Sequence, residues 1–250
     1  FYGHNTSVAW SMTHAQGDRW DLYKEHIRQS SSGPEAEYLE KWEPLTSHEE
    51  RFNIAGDDEV ETEIVWETRH GPVISGDPTH DSEVVAARWE LAKPAHDTQA
   101  MYDMLRAKTV SEAREALRLY DSVSGNHCFA DTVGDIGYQY TGRIPKRDAW
   151  LLPVPGWTDE YEWKGNIPKD ELPTDENPSN GFIVTANNKT TTEDYPYYLS
   201  YTATRFRADR LRELLDDQEL FSKDDMKLFQ GDVTSVHARE IKELISKLTL

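Results

Sequence analysis

The chain has 250 residues, of which 46 are acidic and 27 basic, giving a formal net charge of −19 at neutral pH. This charge repels a phosphate backbone, so nucleic acid is not an expected partner. The mean hydropathy is −0.77, and no apolar run is long enough for a bilayer crossing, so no membrane partner is expected. A single cysteine, Cys128, excludes an internal disulfide, and its apolar neighbours predict a core position.

The first half of the chain alternates between strand and helix signals. Residues 8–10 predict a strand that ends in a turn of small and polar residues. Residues 61–68 and 84–89 alternate in polarity, which predicts two further strands. Residues 97–107 and 109–120 predict a pair of helices.

The second half begins with a predicted hairpin, formed by residues 126–130 and 136–142. The Pro-, Gly- and Trp-rich residues 145–180 predict a long ordered loop, and residues 182–184 predict a strand that leads into Asn187 and Asn188. Two helices are then predicted, over residues 208–217 and from residue 224 onward, the second capped by Ser222 with Asp225.

A series of short motifs resembles, in order and spacing, the β-subunit core of the penicillin acylase family of N-terminal nucleophile hydrolases. The motifs are Gly3-His-Asn5, Ala9-Trp10, Gly17-Asp-Arg-Trp-Asp21, Arg69-His-Gly-Pro72, Phe129-Ala-Asp131, Thr141-Gly-Arg-Ile-Pro-Lys-Arg147, Pro153-Val-Pro-Gly-Trp157, Trp163-Lys-Gly165, Ala186-Asn-Asn188, Asp194-Tyr-Pro196 and Arg207-Ala-Asp-Arg210. Each motif alone is weak, but their common order indicates homology over nearly the whole chain.

The resemblance implies an α+β fold, part of a four-layer αββα sandwich with an inserted β region and C-terminal helices. It divides the chain into a core strand and oxyanion turn (1–23), an inserted mostly β region (24–95), core helices, hairpin and loops (96–203), and a helical segment (204–250). Within the inserted region, the family has an irregular excursion at residues 24–60.

The resemblance also implies amidase chemistry in a parent protein. Family members use an N-terminal serine of the β subunit as the nucleophile, and its own α-amino group as the base. Residue 1 here is Phe, and the motifs fall downstream of that serine. We therefore expect an internal fragment that has no acylase activity by itself. Its expected partners are the remaining β subunit, the α subunit and a small linear amide, such as a β-lactam or acyl-homoserine lactone side chain.

Three catalytic positions are carried over from the family pattern. The main-chain N–H of His14 and the side-chain amide of Asn187 match the two oxyanion donors, and Arg210 matches an arginine near the nucleophile. The His14 imidazole could instead act as a base, or select the acyl group. Without the surrounding motifs, Asn187 would be explained better as a turn former, and Arg210 could be an ordinary helix-surface cation. The motif match favours the catalytic interpretation of both residues.

The resemblance further implies a structural calcium ion. Asp18, the carbonyl of Trp20, and Asp21 match its ligands, and hard oxygen ligands suit Ca²⁺. The family's further carboxylate falls near Leu199 and Ser200, so we expect an incomplete site and weak or no calcium binding by the chain alone. Solvated turn aspartates are the alternative.

Two other functional classes stay open at this point. Carboxylate pairs at Asp159-Glu160 and Asp170-Glu171, together with eight tryptophans, could belong to a glycoside hydrolase, although polar loops favour a solvated face. The chain could also be a non-catalytic binding or structural fragment, with exposed strand edges that promote self-association. Relatives of this family are periplasmic or secreted, and we expect the same compartment.

Overall fold

The computed structural model describes residues 2–56, 59–200, 204–217 and 220–248. The strands, in chain order, are β1 (Gly3–His4), β2 (Val8–His14), β3 (Trp20–Ser30), β4 (Gly33–Tyr38), β5 (Lys41–Pro44), β6 (Thr46–Asn53), β7 (Val60–Thr68), β8 (Gly71–Ser75), β9 (Glu83–Trp89), β10 (Gly125–Asp131), β11 (Ile136–Tyr140), β12 (Val154–Pro155) and β13 (Thr174–Glu176). The helices are α1 (Asp97–Met104), α2 (Val110–Leu117), α3 (Phe206–Leu215), α4 (Lys223–Gln230) and α5 (Val236–Lys247), and a short 3₁₀ turn covers Glu90–Ala92.

The chain divides into two compact units. One consists of Phe1–Asp18, Pro94–Ile144 and Ile167–Leu250, and the other of Arg19–Lys93 and Pro145–Asn166. The second unit therefore joins two separate stretches, a grouping that the four predicted segments did not contain.

The first unit is built on a five-stranded sheet with the order β1-β2-β10-β11-β13. The predicted hairpin is confirmed, because β10 and β11 pair antiparallel from Asn126 opposite Tyr140 to Ala130 opposite Ile136. Alternation along the strands gives each face its own core. Val8, Trp10 and Phe129 pack against α1 and α2 on one face, whereas Tyr138 and Tyr140 pack with Ile144, Ile167, Leu172 and Leu199 on the other.

The helix pair begins and ends close to the predicted positions. Thr109 caps α2, accepting a hydrogen bond from the Glu112 main-chain N–H, whereas the Glu112 carboxylate accepts one from the Lys108 N–H. Gly137 lets α2 approach the sheet closely, since a Cβ on that residue would lie 2.3 Å from Val110 Cγ1. The capping box at Ser222 and Asp225 is also present at the start of α4.

The second unit contains a larger sheet with the order β5-β4-β3-β9-β8-β7-β6, to which β12 adds in parallel beside β3. The irregular excursion expected at residues 24–60 is wrong. Four strands occupy most of this stretch, since β4 and β5 follow β3 as a meander and β6 pairs with β7 over eight residues. Its polar composition reflects exposure, because every residue of β6 is exposed, rather than lack of order.

The strand expected at residues 182–184 is also wrong. These residues belong to no strand of the described structure. Their apolar side chains are only partly buried, and Ile183 packs against the core of the first unit. Apolar character therefore reflected packing of a loop and not pairing in a sheet.

Within the described residues, no helix has the length and apolar character required to cross a bilayer.

Asn5 ties the turn between β1 and β2 to the end of α1. Its Oδ1 accepts hydrogen bonds from the main-chain N–H groups of Ser7 and Val8, at 2.7 and 2.8 Å. Its Nδ2 donates to the carbonyls of Leu105 and Ala107, at 3.1 and 2.8 Å. Each of these bonds contributes about 1 kcal/mol net.

We therefore expect Asn5→Ala to lower the free energy of unfolding by about 2–4 kcal/mol, as measured by urea denaturation. Thr6, the exposed residue next to Asn5, gives a matched control. Thr6→Ala should change the free energy of unfolding by no more than about 0.5 kcal/mol. Equal effects of the two substitutions would show that the four bonds do not stabilise the fold.

Candidate active site

The end of β2 presents the main chain of His14 at an uncovered sheet edge. The next residue, Ala15, donates its N–H to the Ser124 carbonyl at 3.0 Å, and His14 lies opposite Gly125 in the β2–β10 register. Hydrogen-bonded and non-hydrogen-bonded pairs alternate in an antiparallel ladder, so the N–H and C=O of His14 both point away from β10. In the described structure, β1 pairs with β2 only at Ala9 and Trp10, which leaves the edge at His14 without a strand partner.

Asn187 reaches this same edge from the loop before α3. Its side-chain Nδ2 donates to the His14 carbonyl at 2.7 Å. Its backbone is left-handed, with φ of 61°, a conformation that asparagine tolerates better than most residues. A carboxamide nitrogen carries two protons, so one can hold His14 while the other remains available to a bound oxygen.

The two predicted oxyanion donors are therefore neighbours in space. The His14 N–H and C=O face one edge, and the Asn187 amide is anchored on that C=O. Both groups belong to the first unit, although 173 residues separate them in sequence. This arrangement can place two N–H donors around one substrate oxygen.

An arginine holds the other end of the Asn187 carboxamide, and it is Arg207. Its NH2 group donates to Asn187 Oδ1 and to the Ala186 carbonyl, both at 2.8 Å. The predicted Arg210 lies on the same helix but bonds Asp232 and Glu213 instead. Sequence reasoning missed Arg207 because both arginines belong to one Arg-Ala-Asp-Arg motif, and only the helix phase separates them.

A cavity of about 470 Å³ adjoins this arrangement within the first unit. Thr13, Ala186 and Arg207 line it beside the donors, and apolar side chains of the C-terminal helices form much of the remaining wall, namely Phe206, Leu211, Leu214, Phe229 and Val236. Its size suits a small molecule.

The other candidates for reactive groups are the His14 side chain, Cys128 and the two carboxylate pairs. The His14 side chain is exposed and makes no hydrogen bond within the described residues. Burial raises the pKa of the Cys128 thiol, which favours the unreactive protonated form. The carboxylates at Asp159, Glu160, Asp170 and Glu171 are all exposed, as expected for a solvated face.

The residues predicted to bind calcium are engaged with protein groups. Asp18 Oδ2 accepts a hydrogen bond from the Tyr198 hydroxyl at 3.2 Å. Asp21 is buried, and its Oδ2 lies 2.5 Å from Arg147 Nε and 2.6 Å from Trp163 Nε1. Trp20 lies opposite Trp89 in the β3–β9 ladder.

These contacts do not fit a bound Ca²⁺ at Asp21, because a guanidinium already neutralises the carboxylate. Leu199, at the position of the family's further carboxylate, is a buried apolar residue. Among the residues that the structure describes, no group of three or more His, Cys, Asp or Glu side chains is arranged to hold a metal ion.

Sequence reasoning also missed a buried charge cluster in the second unit. The His70 ring stacks on Tyr23, with centroids 3.9 Å apart. Its Nδ1 lies 2.7 Å from Glu25 Oε1 and its Nε2 lies 3.0 Å from Glu162 Oε1. Arg88 also donates to Glu162, at 2.6 Å. The signal was the alternation of β3, whose inward positions include Asp21 and Glu25 beside Tyr23 and Ile27.

Comparison with known proteins identifies the family. The penicillin amidase family model matches residues 1–249. The chain is 34% identical to the penicillin acylase 2 proenzyme of Pseudomonas sp. (strain SE83), over 99% of this chain and 32% of that protein. It is 33% identical to the acyl-homoserine lactone acylase QuiP of Pseudomonas syringae pv. tomato (strain ATCC BAA-871 / DC3000), over 97% of this chain and 30% of that protein.

The fold of the chain is similar to that of a solved penicillin acylase structure. The thermostable penicillin G acylase from Alcaligenes faecalis superposes with a TM-score of 0.71 at 26% sequence identity, covering 91% of this chain and 41% of that one. The predicted α+β fold is confirmed. The chain belongs to the penicillin amidase family, a family of amide hydrolases. It spans about a third of the length of these curated relatives.

Proposed function

We propose that this chain forms the oxyanion-binding part of an amidase that hydrolyses a linear amide through an acyl-enzyme. The observation that carries the proposal is the 2.7 Å hydrogen bond from Asn187 Nδ2 to the His14 carbonyl. This bond supports the proposal that the Asn187 amide and the His14 N–H lie at the same edge of β2. The substrate class that fits best is the acyl side chain of a β-lactam or of an acyl-homoserine lactone.

The chemistry requires donors that are positioned before the reaction begins. Attack on an amide carbonyl produces a tetrahedral intermediate with a negatively charged oxygen. Donors already directed at that oxygen stabilise it without reorganisation, and removing one from such a site costs about 10²–10³ in kcat. Arg207 acts here as a positioning residue, because it holds Asn187 Oδ1 and so turns the Nδ2 protons toward the edge.

The nucleophile, in this proposal, comes from the parent protein outside these 250 residues. Two hydroxyl residues line the adjoining cavity close in sequence to the donors, namely Thr13, which contacts Asn126 Nδ2, and Thr185, which contacts the Cys128 thiol. Neither contacts a base in the part of the chain that the structure describes, so neither is activated. The chain by itself would contact a substrate oxygen but would not hydrolyse the amide. Its partners would be the remaining β subunit and the α subunit.

Two further proposals concern a calcium site and a non-catalytic role for this chain. A calcium site in the parent protein would require ligands other than Asp21, because Asp21 is paired with Arg147. A non-catalytic fragment remains the second candidate, and it is favoured by the two unactivated threonines beside the donors.

The test is an assay of the full-length gene product beside the 250-residue chain. We expect the full-length protein to release amine from a chromogenic acyl amide and to leave a chromogenic glycoside intact, and the shorter chain to hydrolyse neither. Hydrolysis of the amide by the short chain would contradict an external nucleophile. Absence of amide hydrolysis by a folded full-length protein, across penicillin-, cephalosporin- and homoserine-lactone-type substrates, would contradict the proposed function.

A further inference from the structure

The side chain of Asn188 closes a small ring around Asn187. Its Oδ1 accepts a hydrogen bond from the Ala186 main-chain N–H at 2.9 Å. Its Nδ2 donates to the Lys189 carbonyl, also at 2.9 Å. The Asn188 carboxamide therefore bonds the residue before Asn187 and the residue after Asn188, and it bridges the turn that contains Asn187 from the Ala186 N–H to the Lys189 carbonyl.

These hydrogen bonds surround a residue with a left-handed backbone, since Asn187 has a φ of 61°. Asparagine tolerates this conformation better than most residues that carry a Cβ, but the conformation still depends on support from its surroundings. The bonds of Asn188 supply that support locally. Arg207 adds a further bond to the Ala186 carbonyl, so both main-chain groups of Ala186 are held.

The two asparagines differ in where they lie. Asn187 is half-buried, with its amide on the His14 edge, whereas Asn188 is only 7% exposed. A buried amide that satisfies main-chain groups is costly to remove, because its partners lose their bonds. The two side chains therefore differ in their contacts. The Asn187 amide bonds the His14 edge, and the Asn188 amide bonds the main chain of the turn.

We propose that Asn188 is a positioning residue that sets the direction of the Asn187 amide. This inference rests on the proposed function of Asn187 as an oxyanion donor. Without Asn188 the turn relaxes from its left-handed conformation, and Nδ2 moves away from the His14 edge. A displacement of about 1 Å in a catalytic group can cost 10²-fold in rate.

The test uses the full-length parent protein with Asn188→Ala, Asn187→Ala and the double variant. We expect Asn188→Ala to lower kcat about 10- to 100-fold with KM changed less than about threefold, because the donor acts mainly in the transition state. In the Asn187→Ala background, Asn188→Ala should lower kcat no further. An equal loss in both backgrounds would overturn the proposal, since it would show that Asn188 does not act through Asn187.

A second measurement reports on the contact itself, whatever the activity. Hydrogen exchange at the Ala186 amide should become at least about tenfold faster in Asn188→Ala, while amides of β10 keep their protection. Asn188→Asp retains an acceptor for Ala186 and loses the donor to Lys189, so its exchange and kcat should be intermediate. Unchanged exchange at Ala186, or faster exchange throughout the protein, would overturn the positioning role.

These readouts also separate the inference from the proposed function. If Asn187→Ala leaves kcat unchanged, the proposed oxyanion role fails, and the inference fails with it even when Ala186 exchange responds. If Asn187→Ala is slow and Asn188→Ala is as fast as wild type, only the inference fails. Asn180→Ala, at an exposed asparagine in the same loop, is the matched control and should leave kcat unchanged.

Discussion

Asn187→Ala in the full-length parent protein is expected to slow acylation by about 10²–10³-fold while the fold remains intact. The substitution removes the Nδ2 donor anchored on His14, and a missing oxyanion donor costs about 2.7–4 kcal/mol of transition-state stabilisation. Asn187 is half-buried in a loop, so its removal leaves the core of the first unit untouched. Single-turnover kinetics would measure the acylation step, and thermal denaturation would check the fold.

Asn187→Asp sharpens the same prediction. The side chain keeps its shape, but an ionised carboxylate only accepts hydrogen bonds and would repel the developing oxyanion. We therefore expect acylation by Asn187→Asp to be at least as slow as by Asn187→Ala. An acylation rate within about threefold of wild type for either variant would remove Asn187 from the site.

His70→Phe is expected to lower the free energy of unfolding of the second unit by about 3–5 kcal/mol. Glu25 is fully buried, and its Oε1 accepts bonds from His70 and Thr68. Its Oε2 has no hydrogen-bond partner in the described structure. Phenylalanine preserves the stacking on Tyr23 but leaves the Glu25 carboxylate without its principal donor, and an uncompensated buried charge is strongly destabilising.

Glu25→Met tests whether the unpaired Glu25 carboxylate causes the loss of stability in His70→Phe. Combined with His70→Phe, it should recover part of the lost stability, with a coupling of at least about 1 kcal/mol, because an apolar pair replaces the buried charges. His48→Phe is a control at a half-exposed histidine that pairs with Glu50, and it should change stability by no more than about 0.5 kcal/mol. Strict additivity of the two buried substitutions would contradict the account.

The same cluster gives stability a pH dependence. Burial alone would raise the pKa of Glu162, but hydrogen bonds from Arg88 and His70 outweigh it and hold that pKa below its ordinary value. A carboxylate with a lowered folded pKa stabilises the protein above its unfolded pKa, about 4.3, and loses this contribution as pH falls through the folded value. Acid should therefore destabilise wild type more steeply below about pH 4.3 than it does His70→Phe.

Local patterns in the sequence predicted local structure well. The β10–β11 hairpin, the two core helices and the capping box at Ser222 depend on neighbouring residues, and all are confirmed. The meander of β3, β4 and β5 and the exposed strand β6 were missed, since their residues are polar and their strand partners are set by the sheet. The loop at residues 182–184 was mistaken for a strand because burial and pairing give the same apolar signal.

The site was predictable only in part, for a similar reason. The motifs predicted His14 and Asn187 as oxyanion donors; that role stays a prediction, and the structure places the two residues in hydrogen-bond contact. They could not determine which arginine of the Arg-Ala-Asp-Arg motif reaches Asn187, because that depends on where α3 begins. Nor could they reveal that Asp21 is paired with Arg147, 126 positions away, since ion pairs of that kind leave no local pattern.

The central claim is that the His14 N–H and the Asn187 amide bind one substrate oxygen between them. The most direct measurement is a crystal structure of the active parent protein with a tetrahedral analogue of the acyl intermediate, such as a boronate or phosphonate. We expect one analogue oxygen within about 2.7–3.1 Å of both His14 N and Asn187 Nδ2. An analogue bound covalently at the nucleophile, with its oxygen held by other groups and neither of these donors, would contradict it.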